Sequence, residues 1–478
     1  MKYLTVLLIT ILFLTGCEDR GYGAQEIENV PSIVSDKDMS ILDITPDTNI
    51  SKSSYINIKF SSFVDLSSLT SQNITLKKKS SDTYIDLFEI DTFNNYLYIK
   101  PNSNLEESEI YILEIKSSIK DIMGNSLNAD YSKELLCKSN FWKKVEAGQT
   151  HSMAESIDGD IYVWGSNSYK ELFLDNNIGY SIPLGIINTK DTKEFSAGSS
   201  DSALIDKDEI LVSVGKNSLQ DSDTKGFFKL SVGYNHTASI KADGTLWSWG
   251  KNSSGQLGNL GILTSYEQTQ EYTKSDKWTS ISAGDKFTIA LKEDKTMWGW
   301  GNNEYGQIGN SAYNERRKPV QEDSNATDWI FVSAGADHSC AIKSNGTLWS
   351  WGLNLSGQLG NANNTSSRVA VQEDTNSTNW VSVSTGLNHT VALKSNGELW
   401  TWGSDYYGQL GNGESNENKN SPTQIDGTWS SVSAGGDFTI AIKTDGTLWA
   451  WGYNANRELG LGNDVDDKNE PTEIGGVE

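Results

Sequence analysis

The chain has 478 residues, which is room for two or three domains, and it carries 39 Lys and Arg against 63 Asp and Glu. The net charge of −24 argues against nucleic-acid binding through phosphates, which needs a basic surface. The 43 glycines, 7 prolines and many aromatic residues are typical of short strands joined by turns.

The N-terminus predicts an export signal. Residues 1–3 are a short basic start, and residues 4–14 are almost wholly apolar. This run is too short to span a bilayer as a stable helix and fits the core of a signal peptide. It ends in Leu14-Thr15-Gly16-Cys17, which resembles the bacterial lipobox. The alternative is an ordinary signal peptide followed by a chance cysteine.

The lipobox resemblance implies lipidation of Cys17 and cleavage before it. We therefore expect a signal peptide at 1–16, a flexible tether at 17–35, and an exported protein that is lipid-anchored to the cell membrane or outer membrane. The other cysteines are Cys137 and Cys340. Three cysteines make neither a disulfide framework nor a metal cluster. A Cys137–Cys340 bridge stays open as an alternative, although the apolar run around Cys340 is typical of a core residue.

Residues 36–138 predict a small β-sandwich. Polar and apolar residues alternate in 55–60, 96–99 and 110–115, which is the period of half-buried strands. Phe60-Ser61-Ser62-Phe63-Val64-Asp65 and Lys120-Asp121-Ile122-Met123-Gly124-Asn125 resemble motifs of bacterial Ig-like domains of the S-layer type. The resemblance implies an Ig-like domain that acts as a spacer.

Residues 140–478 consist of seven repeats. The clearest unit contains Ala334-Gly335-Ala336-Asp337-His338, then Trp349-Ser350-Trp351-Gly352 and Gly357-Gln358-Leu359-Gly360. The glycine that closes the second motif recurs in each copy, at Gly165, Gly215, Gly250, Gly301, Gly352, Gly403 and Gly452. Turn dipeptides such as Asn345-Gly346 separate the strands. Such units cannot bury their faces alone, so the pattern predicts a seven-bladed β-propeller with a degenerate second copy. The predicted fold class is therefore all-β.

These motifs together resemble the regulator of chromosome condensation repeat family. The resemblance covers 140–478 and implies a propeller whose loops bind partners. The family includes an exported β-lactamase inhibitor of this architecture and a eukaryotic namesake that exchanges nucleotide on the GTPase Ran.

The tryptophans and histidines fall at repeat positions, which indicates framework roles. Two Trp at positions i and i+2 lie on one face of a strand and can pack between blades. The four histidines share one position, which Phe287 and Phe438 fill in two other copies; the histidines are His151, His236, His338 and His389. We therefore predict no catalytic residue, no cofactor and no metal site. Asp464-Val465-Asp466-Asp467 lacks the glycine and terminal glutamate of an EF-hand loop.

The predicted function is that of a cell-envelope lipoprotein whose propeller is a non-enzymatic protein-binding or scaffold module. The unknown protein or envelope ligand is expected on the propeller loops, with the lipid anchor as the link to the membrane. Repeat copies diverge most in 259–277, 310–328, 361–379 and 413–428. The alternative is an inhibitor of a secreted or envelope enzyme. Nucleotide exchange by family analogy is disfavoured by the predicted export.

Ring closure can also be predicted. A short extended segment precedes most opening Trp strands, the first repeat shows none, and residues 471–474 are left over at the end. We therefore expect residues 471–474 to join the first blade beside residues 141–145, which would remove two exposed sheet edges.

Overall fold

A computed structural model describes residues 39–474, apart from 46–48, 52–55, 94–95, 102–104, 107, 139–141, 158, 175–176, 187–191, 220–223, 262 and 313. Strands make up nearly all the regular structure, with a single-turn 3-10 helix at Leu66–Ser68. In the part described, no helix is long and apolar enough to cross a bilayer. The predicted signal peptide, the tether and Cys17 lie outside the described residues.

The described residues of the N-terminal domain form nine strands in two sheets. They are β1 (Ile41–Thr45), β2 (Asn49–Ser51), β3 (Ile56–Phe60), β4 (Ile74–Lys78), β5 (Thr83–Ile85), β6 (Leu87–Phe93), β7 (Tyr96–Pro101), β8 (Ile110–Ile115) and β9 (Tyr131–Lys138). The sheet orders are β1-β3-β7-β6 and β2-β9-β8-β4-β5. Alternate residues of both sheets, such as Ile58 and Leu113, are buried in one shared core. The predicted β-sandwich is confirmed.

Hydrogen bonds explain the sequence of the turn at residues 120–125 of this domain. The Asp121 Oδ1 atom accepts the backbone N–H groups of Met123 and Asn125, each at 2.9 Å. Gly124 has a φ of 87°, in the left-handed region that favours glycine. The aspartate and the glycine are therefore needed for the turn itself, and nothing in its geometry points to a reactive site.

The repeat region contributes 27 strands over its described residues. They are β10 (Trp142–Ala147), β11 (His151–Ser156), β12 (Ile161–Gly165), β13 (Tyr180–Gly185), β14 (Glu194–Ala197), β15 (Asp201–Ile205), β16 (Leu211–Gly215), β17 (Phe227–Val232), β18 (His236–Lys241), β19 (Leu246–Gly250), β20 (Ser265–Gln270), β21 (Trp278–Ala283), β22 (Phe287–Lys292), β23 (Met297–Gly301), β24 (Arg316–Gln321), β25 (Trp329–Ala334), β26 (His338–Lys343), β27 (Leu348–Gly352), β28 (Ser367–Gln372), β29 (Trp380–Thr385), β30 (His389–Lys394), β31 (Leu399–Gly403), β32 (Lys419–Ile425), β33 (Trp429–Ala434), β34 (Phe438–Lys443), β35 (Leu448–Gly452) and β36 (Lys468–Glu473).

These strands form seven consecutive antiparallel sheets, which are the blades of a propeller. Blade 1 is β10–β13, blade 2 is β14–β16, and blades 3 to 7 take four strands each in chain order. The degenerate second copy thus has three strands among the described residues, and its shorter trailing segment explains the difference. The first strand of each blade lies next to the first strand of the following blade, and β33 contacts β10 to close the ring.

The prediction for ring closure was wrong. Strand β36 pairs with β35, with Thr472 opposite Ala450 and Lys468 opposite Gly452, so the segment completes blade 7 and does not join blade 1. The extended segment before each Trp strand is the fourth strand of the preceding blade, and each blade begins at its Trp strand. Ile474, beyond β36, packs in the cluster that contains Trp142 of blade 1.

One hydrogen-bond arrangement joins successive blades. The Gln307 carbonyl of blade 4 accepts both the Ser339 hydroxyl (2.7 Å) and the Trp351 indole N–H (2.9 Å) of blade 5. The carbonyls of Gln256, Gln358, Gln409 and Glu458 accept the equivalent pairs. Glu458 belongs to blade 7 and its donors, Ser152 and Trp164, to blade 1. The ring therefore closes with the same bonds that hold the junctions from blade 3 to blade 7.

Candidate functional site

The four histidines are framework residues. Each Nε2 atom lies within hydrogen-bond distance of a hydroxyl in the next blade: His151 and Ser202 at 2.7 Å, His236 and Thr288 at 2.8 Å, His338 and Thr390 at 2.9 Å, and His389 and Thr439 at 3.2 Å. Thr288, Thr390 and Thr439 donate their only hydroxyl proton to a carbonyl. Their oxygens therefore accept from the histidine, whose neutral ring carries its proton on Nε2.

Burial keeps these imidazoles neutral. It lowers the pKa of His151 and His389 to about 4 and that of His236 and His338 to about 3. A general base needs a pKa near the operating pH and access to substrate, and these buried rings have neither. The repeat position thus predicted their role correctly.

The paired tryptophans differ in burial. Trp249, Trp300, Trp351, Trp402 and Trp451 are completely buried. The last four donate the interblade bonds, whereas the indole N–H of Trp249 has no hydrogen-bond partner among the described residues. The first Trp of each pair is half-buried and lies under a lysine of its own blade; the Lys292 ammonium is 4.1 Å from the Trp298 ring centre. Cation–π contacts of this kind also cover Trp247, Trp349, Trp400 and Trp449. The tryptophans are therefore parts of the frame.

The loops divide between two faces of the propeller. Loops between first and second strands lie on the same face as loops between third and fourth strands. Gln307, in a loop between a third and a fourth strand, donates from Nε2 to Oδ1 of Asp337, in a loop between a first and a second strand, at 3.0 Å. We call this the upper face. The segments of greatest sequence divergence start there, continue through the outermost strands and end in turns on the opposite face. The structure does not bring them together on one face.

The upper face carries an aromatic patch, which we define as Tyr406, Tyr407 and Tyr453. The ring centre of Tyr407 lies 4.8 Å from the ring centre of Tyr406 and 4.8 Å from that of Tyr453. Tyr406 is 63% exposed, and Leu355 on the loop of the neighbouring blade is 71% exposed. Exposed apolar groups on one face of a rigid frame are typical of interaction sites. Sequence reasoning missed the patch, although the two residues before each Gly-Gln-Leu-Gly motif vary more than the motif does.

Carboxylates lie beneath and beside the aromatic patch. Asp437 accepts a hydrogen bond from Gln409 Nε2 at 3.1 Å, and burial raises the pKa of this carboxyl. Burial also raises the pKa of Glu458 to about 7. Burial is the largest cause of the raised pKa of Tyr453, and the nearby Glu458 and Asp467 raise it further. Carboxyl groups thus lie close to the patch, and burial favours their neutral forms.

The remaining candidate residues have structural surroundings. Cys137 is buried in the sandwich core and Cys340 in blade 5, where burial raises the pKa of its thiol to about 12. The open alternative of a bridge between them is not realised, since each is a separate thiol. Asp464 pairs with Lys468 at 2.6 Å, and Asp467 accepts the Asn454 N–H at 2.9 Å. Over the described ranges, no group of three or more metal-ligating side chains comes together.

Comparison with known proteins assigns both parts of the chain. The family model of the RCC1-like domain matches residues 218–478, and that of a bacterial Ig-like domain matches residues 35–141. The ultraviolet-B receptor UVR8 of Arabidopsis thaliana is 30% identical over 295 residues, which are 57% of this chain and 67% of the receptor. The human E3 ubiquitin-protein ligase HERC2 is 26% identical over 286 residues, and the match spans only 5% of that ligase.

A solved structure has the same fold. Prp20p of Saccharomyces cerevisiae, described with its binding properties to Gsp1p and histones, superposes with a TM-score of 0.59 at 20% identity. The superposition covers 70% of this chain and 88% of Prp20p. At this identity the likeness establishes the propeller fold and carries no partner over to this chain.

Proposed function

Because the chain belongs to the RCC1-like domain family, whose propellers serve as protein-interaction modules, we propose that it binds a protein partner at the aromatic patch of the upper face. The observation that carries this proposal is the exposure of Tyr406 and Leu355 on a frame that buries the second Trp of each Trp-x-Trp-Gly motif. Tyrosine is common in binding hot spots because it is large and has a polar end.

We further propose that the module is not an enzyme. The histidines have depressed pKa values and interblade partners, and the tryptophans fill repeat positions. Two carboxyls with raised pKa values, Asp405 and Glu458, lie at loop positions that blades 3 to 5 fill with amides. The histidine–hydroxyl pairs are buried, and in three of them the hydroxyl donates its proton to a carbonyl and not to the ring. Turnover of a defined substrate that a single substitution abolishes would contradict this.

The proposed setting is the cell envelope, with the chain exported and anchored through lipidated Cys17. The support is the apolar run 4–14 and the Leu14-Thr15-Gly16-Cys17 sequence that follows it. Fatty-acid labelling of the wild-type chain and of Cys17→Ser tests this directly. We expect label in the wild type and none in the variant, and equal labelling of both would reject the anchor.

Cross-linked capture from envelope extracts tests the docking site. The bait is the chain produced without residues 1–16 and carrying Cys17→Ser, compared with Tyr406→Ser and Leu355→Ser versions. Each substitution removes an exposed hot-spot candidate, and we expect capture to weaken by about tenfold or more. Tyr266→Ser is the matched control, because Tyr266 is 43% exposed on β20 at the blade edge. Equal loss in the control, or none in the patch variants, would reject this site. A captured hydrolase that loses activity would identify the module as an inhibitor.

A further inference from the structure

The propeller has a second distinctive feature in its central channel. The first strand of each blade lines this channel with side chains at two levels. The level nearer the upper face consists of Glu146, Ser196, Ser231, Ser282, Ser333, Ser384 and Ser433. The deeper level consists of Lys144, Glu194, Lys229, Ser280, Phe331, Ser382 and Ser431. Serine is thus the usual residue, and the charged residues all belong to blades 1 to 3.

The serines of the first level have a structural task. Each of the six accepts the backbone N–H of a residue in the next blade, as Ser282 does from Ala334 at 2.9 Å. The same bond recurs for Ser196, Ser231, Ser333, Ser384 and Ser433. Blade 1 has Glu146 at this position, so the interblade frame does not explain the choice of glutamate.

The charged residues form one chain of ion pairs along the channel wall. Glu146 lies 3.2 Å from Lys144, Lys144 lies 2.5 Å from Glu194, and Glu194 lies 3.2 Å from Lys229. Removing charges from bulk water costs free energy that pairing alone only partly offsets. Four other blades fill the deeper level with serine or phenylalanine, so a channel without these charges is compatible with the fold.

The two ends of the ion-pair chain carry opposite charges and reach the lumen. Glu146 has one cationic neighbour, Lys144, and its side chain is 31% exposed. Lys229 has one anionic neighbour, Glu194, and its side chain is 43% exposed. Phe331 adds an aromatic surface from blade 5, and serine hydroxyls line the rest. The channel holds a cavity of about 350 Å³, at the small end of the range for ligand sites.

We propose that this channel binds a small zwitterion with an apolar side group, namely an α-amino acid. Its ammonium group pairs with Glu146, its carboxylate pairs with Lys229, and its side group contacts Phe331. This site is separate from the aromatic patch, so its test does not depend on a protein partner.

The electrostatics of Glu146 are consistent with this. Burial and the nearby Glu194 raise the pKa of Glu146, against the opposing influence of Lys144. A second cation beside this carboxylate would therefore stabilise its charged form. An amino acid supplies that cation together with an anion for the other end of the chain.

Calorimetric titration with four probes tests the proposal on the chain without residues 1–16 that carries Cys17→Ser. We expect phenylalanine to bind with one site per chain and glycine to bind more weakly, because glycine lacks the ring. Phenylacetate and phenethylamine, which each lack one charge, should bind at least about tenfold more weakly than phenylalanine, because each loses a charge-assisted bond. No binding of phenylalanine, or equal binding of either one-charge analogue, would overturn the proposal.

Two substitutions locate the site. Glu146→Ser installs the residue that the other six blades use, and Lys229→Ser installs the residue of blades 4, 6 and 7. Each should weaken phenylalanine binding by about tenfold or more. Glu209→Ser and Lys193→Ser make the same charge changes in a surface ion pair outside the channel and should bind like wild type. Wild-type affinity in the channel variants would overturn the proposal, and the one-charge analogues test it independently on the unaltered chain.

Discussion

Asp405 lies at a position where other blades carry asparagine. Asn252, Asn303, Asn354 and Asn454 each accept a backbone N–H five residues on and donate their amide to a loop carbonyl, as Asn454 does to Asp464 O at 2.8 Å. Asp405 accepts the Leu410 N–H at 3.0 Å, but its Oδ2 atom is buried without a hydrogen-bond partner. Burial raises the pKa of this carboxyl to about 6. Between about pH 4 and about pH 6, the native state therefore retains a proton that the unfolded chain releases.

We expect Asp405→Asn to stabilise the protein, and more so at alkaline than at acidic pH. A raised carboxyl pKa lowers stability as pH rises from about 4 through about 6, by about 3 kcal/mol at most. Urea unfolding of wild type and variant at about pH 8 and about pH 4.5 measures this difference. A gain that is equal at both pH values would contradict the proposed origin.

The buried histidines respond to pH with the opposite sign. An unfolded histidine binds a proton below about pH 6.5, whereas His236 stays neutral in the fold until about pH 3. Stability is therefore lost as pH falls from about 6.5, at about 1.4 kcal/mol per pH unit for each such residue. Acidification should destabilise the native propeller steeply.

His236→Phe should remove the contribution of one titrating group from the pH dependence of stability. Blades 4 and 7 already use Phe287 and Phe438 at the same position, so the ring is accommodated, and Thr288 keeps its bond to the Gln256 carbonyl. We expect near wild-type stability at about pH 8 and a shallower loss between about pH 6.5 and 5. An unchanged slope would show that this histidine titrates alike in both states.

Single residues also show where sequence reasoning reached its limit. The buried Trp and His positions were predictable because they recur at a fixed spacing and their neighbours recur with them. The aromatic patch was not, because the positions of Tyr406, Tyr407 and Tyr453 do not carry one residue type throughout the repeats. Two ion pairs of the channel join residues 35 and 50 positions apart, namely those of Lys229 and Lys144 with Glu194. Only the radial arrangement of blades brings them together.

Among the structural elements, the fourth strand was the hardest to assign. The first three strands of a blade carry Trp, His and Trp-x-Trp-Gly signals, whereas β20, β24, β28, β32 and β36 share no strong motif. Sequence reasoning saw these segments but attached them to the following repeat. The pairing of β36 with β35 shows that the fourth strand ends its blade, so that each blade begins at its Trp strand. The same outer position also distinguishes blade 2, which has three strands in the described part of the repeat.

Removing residues 468–478 should destabilise the propeller through blade 7. The deletion takes away β36, exposes the edge of β35 and removes Ile474 from the cluster with Trp142. We expect a melting temperature several degrees lower and a tendency to associate through the new edge. A chain that lacks only residues 475–478 is the control and should melt like wild type. Equal melting of the two truncated chains would contradict the assigned role of β36.

For the whole molecule, different residues form the propeller frame and the proposed binding surfaces. The interblade bonds to backbone carbonyls recur from junction to junction and use residues that are almost fully buried. The aromatic patch and the charged channel wall depend on residues found in only some blades. This separation lets surface residues change without loss of the ring. The net charge of −24 should also make association with a basic partner faster at low salt.

Hydrogen–deuterium exchange on the chain with its captured partner tests the central claim, that the propeller is a binding module whose partner docks on the upper face. The account predicts slower exchange at residues 405–409 and around Tyr453 when the partner is bound, with the outer strands β20 and β24 unchanged. Protection confined to the outer strands or to the turns of the opposite face, with none at the aromatic patch, would contradict it.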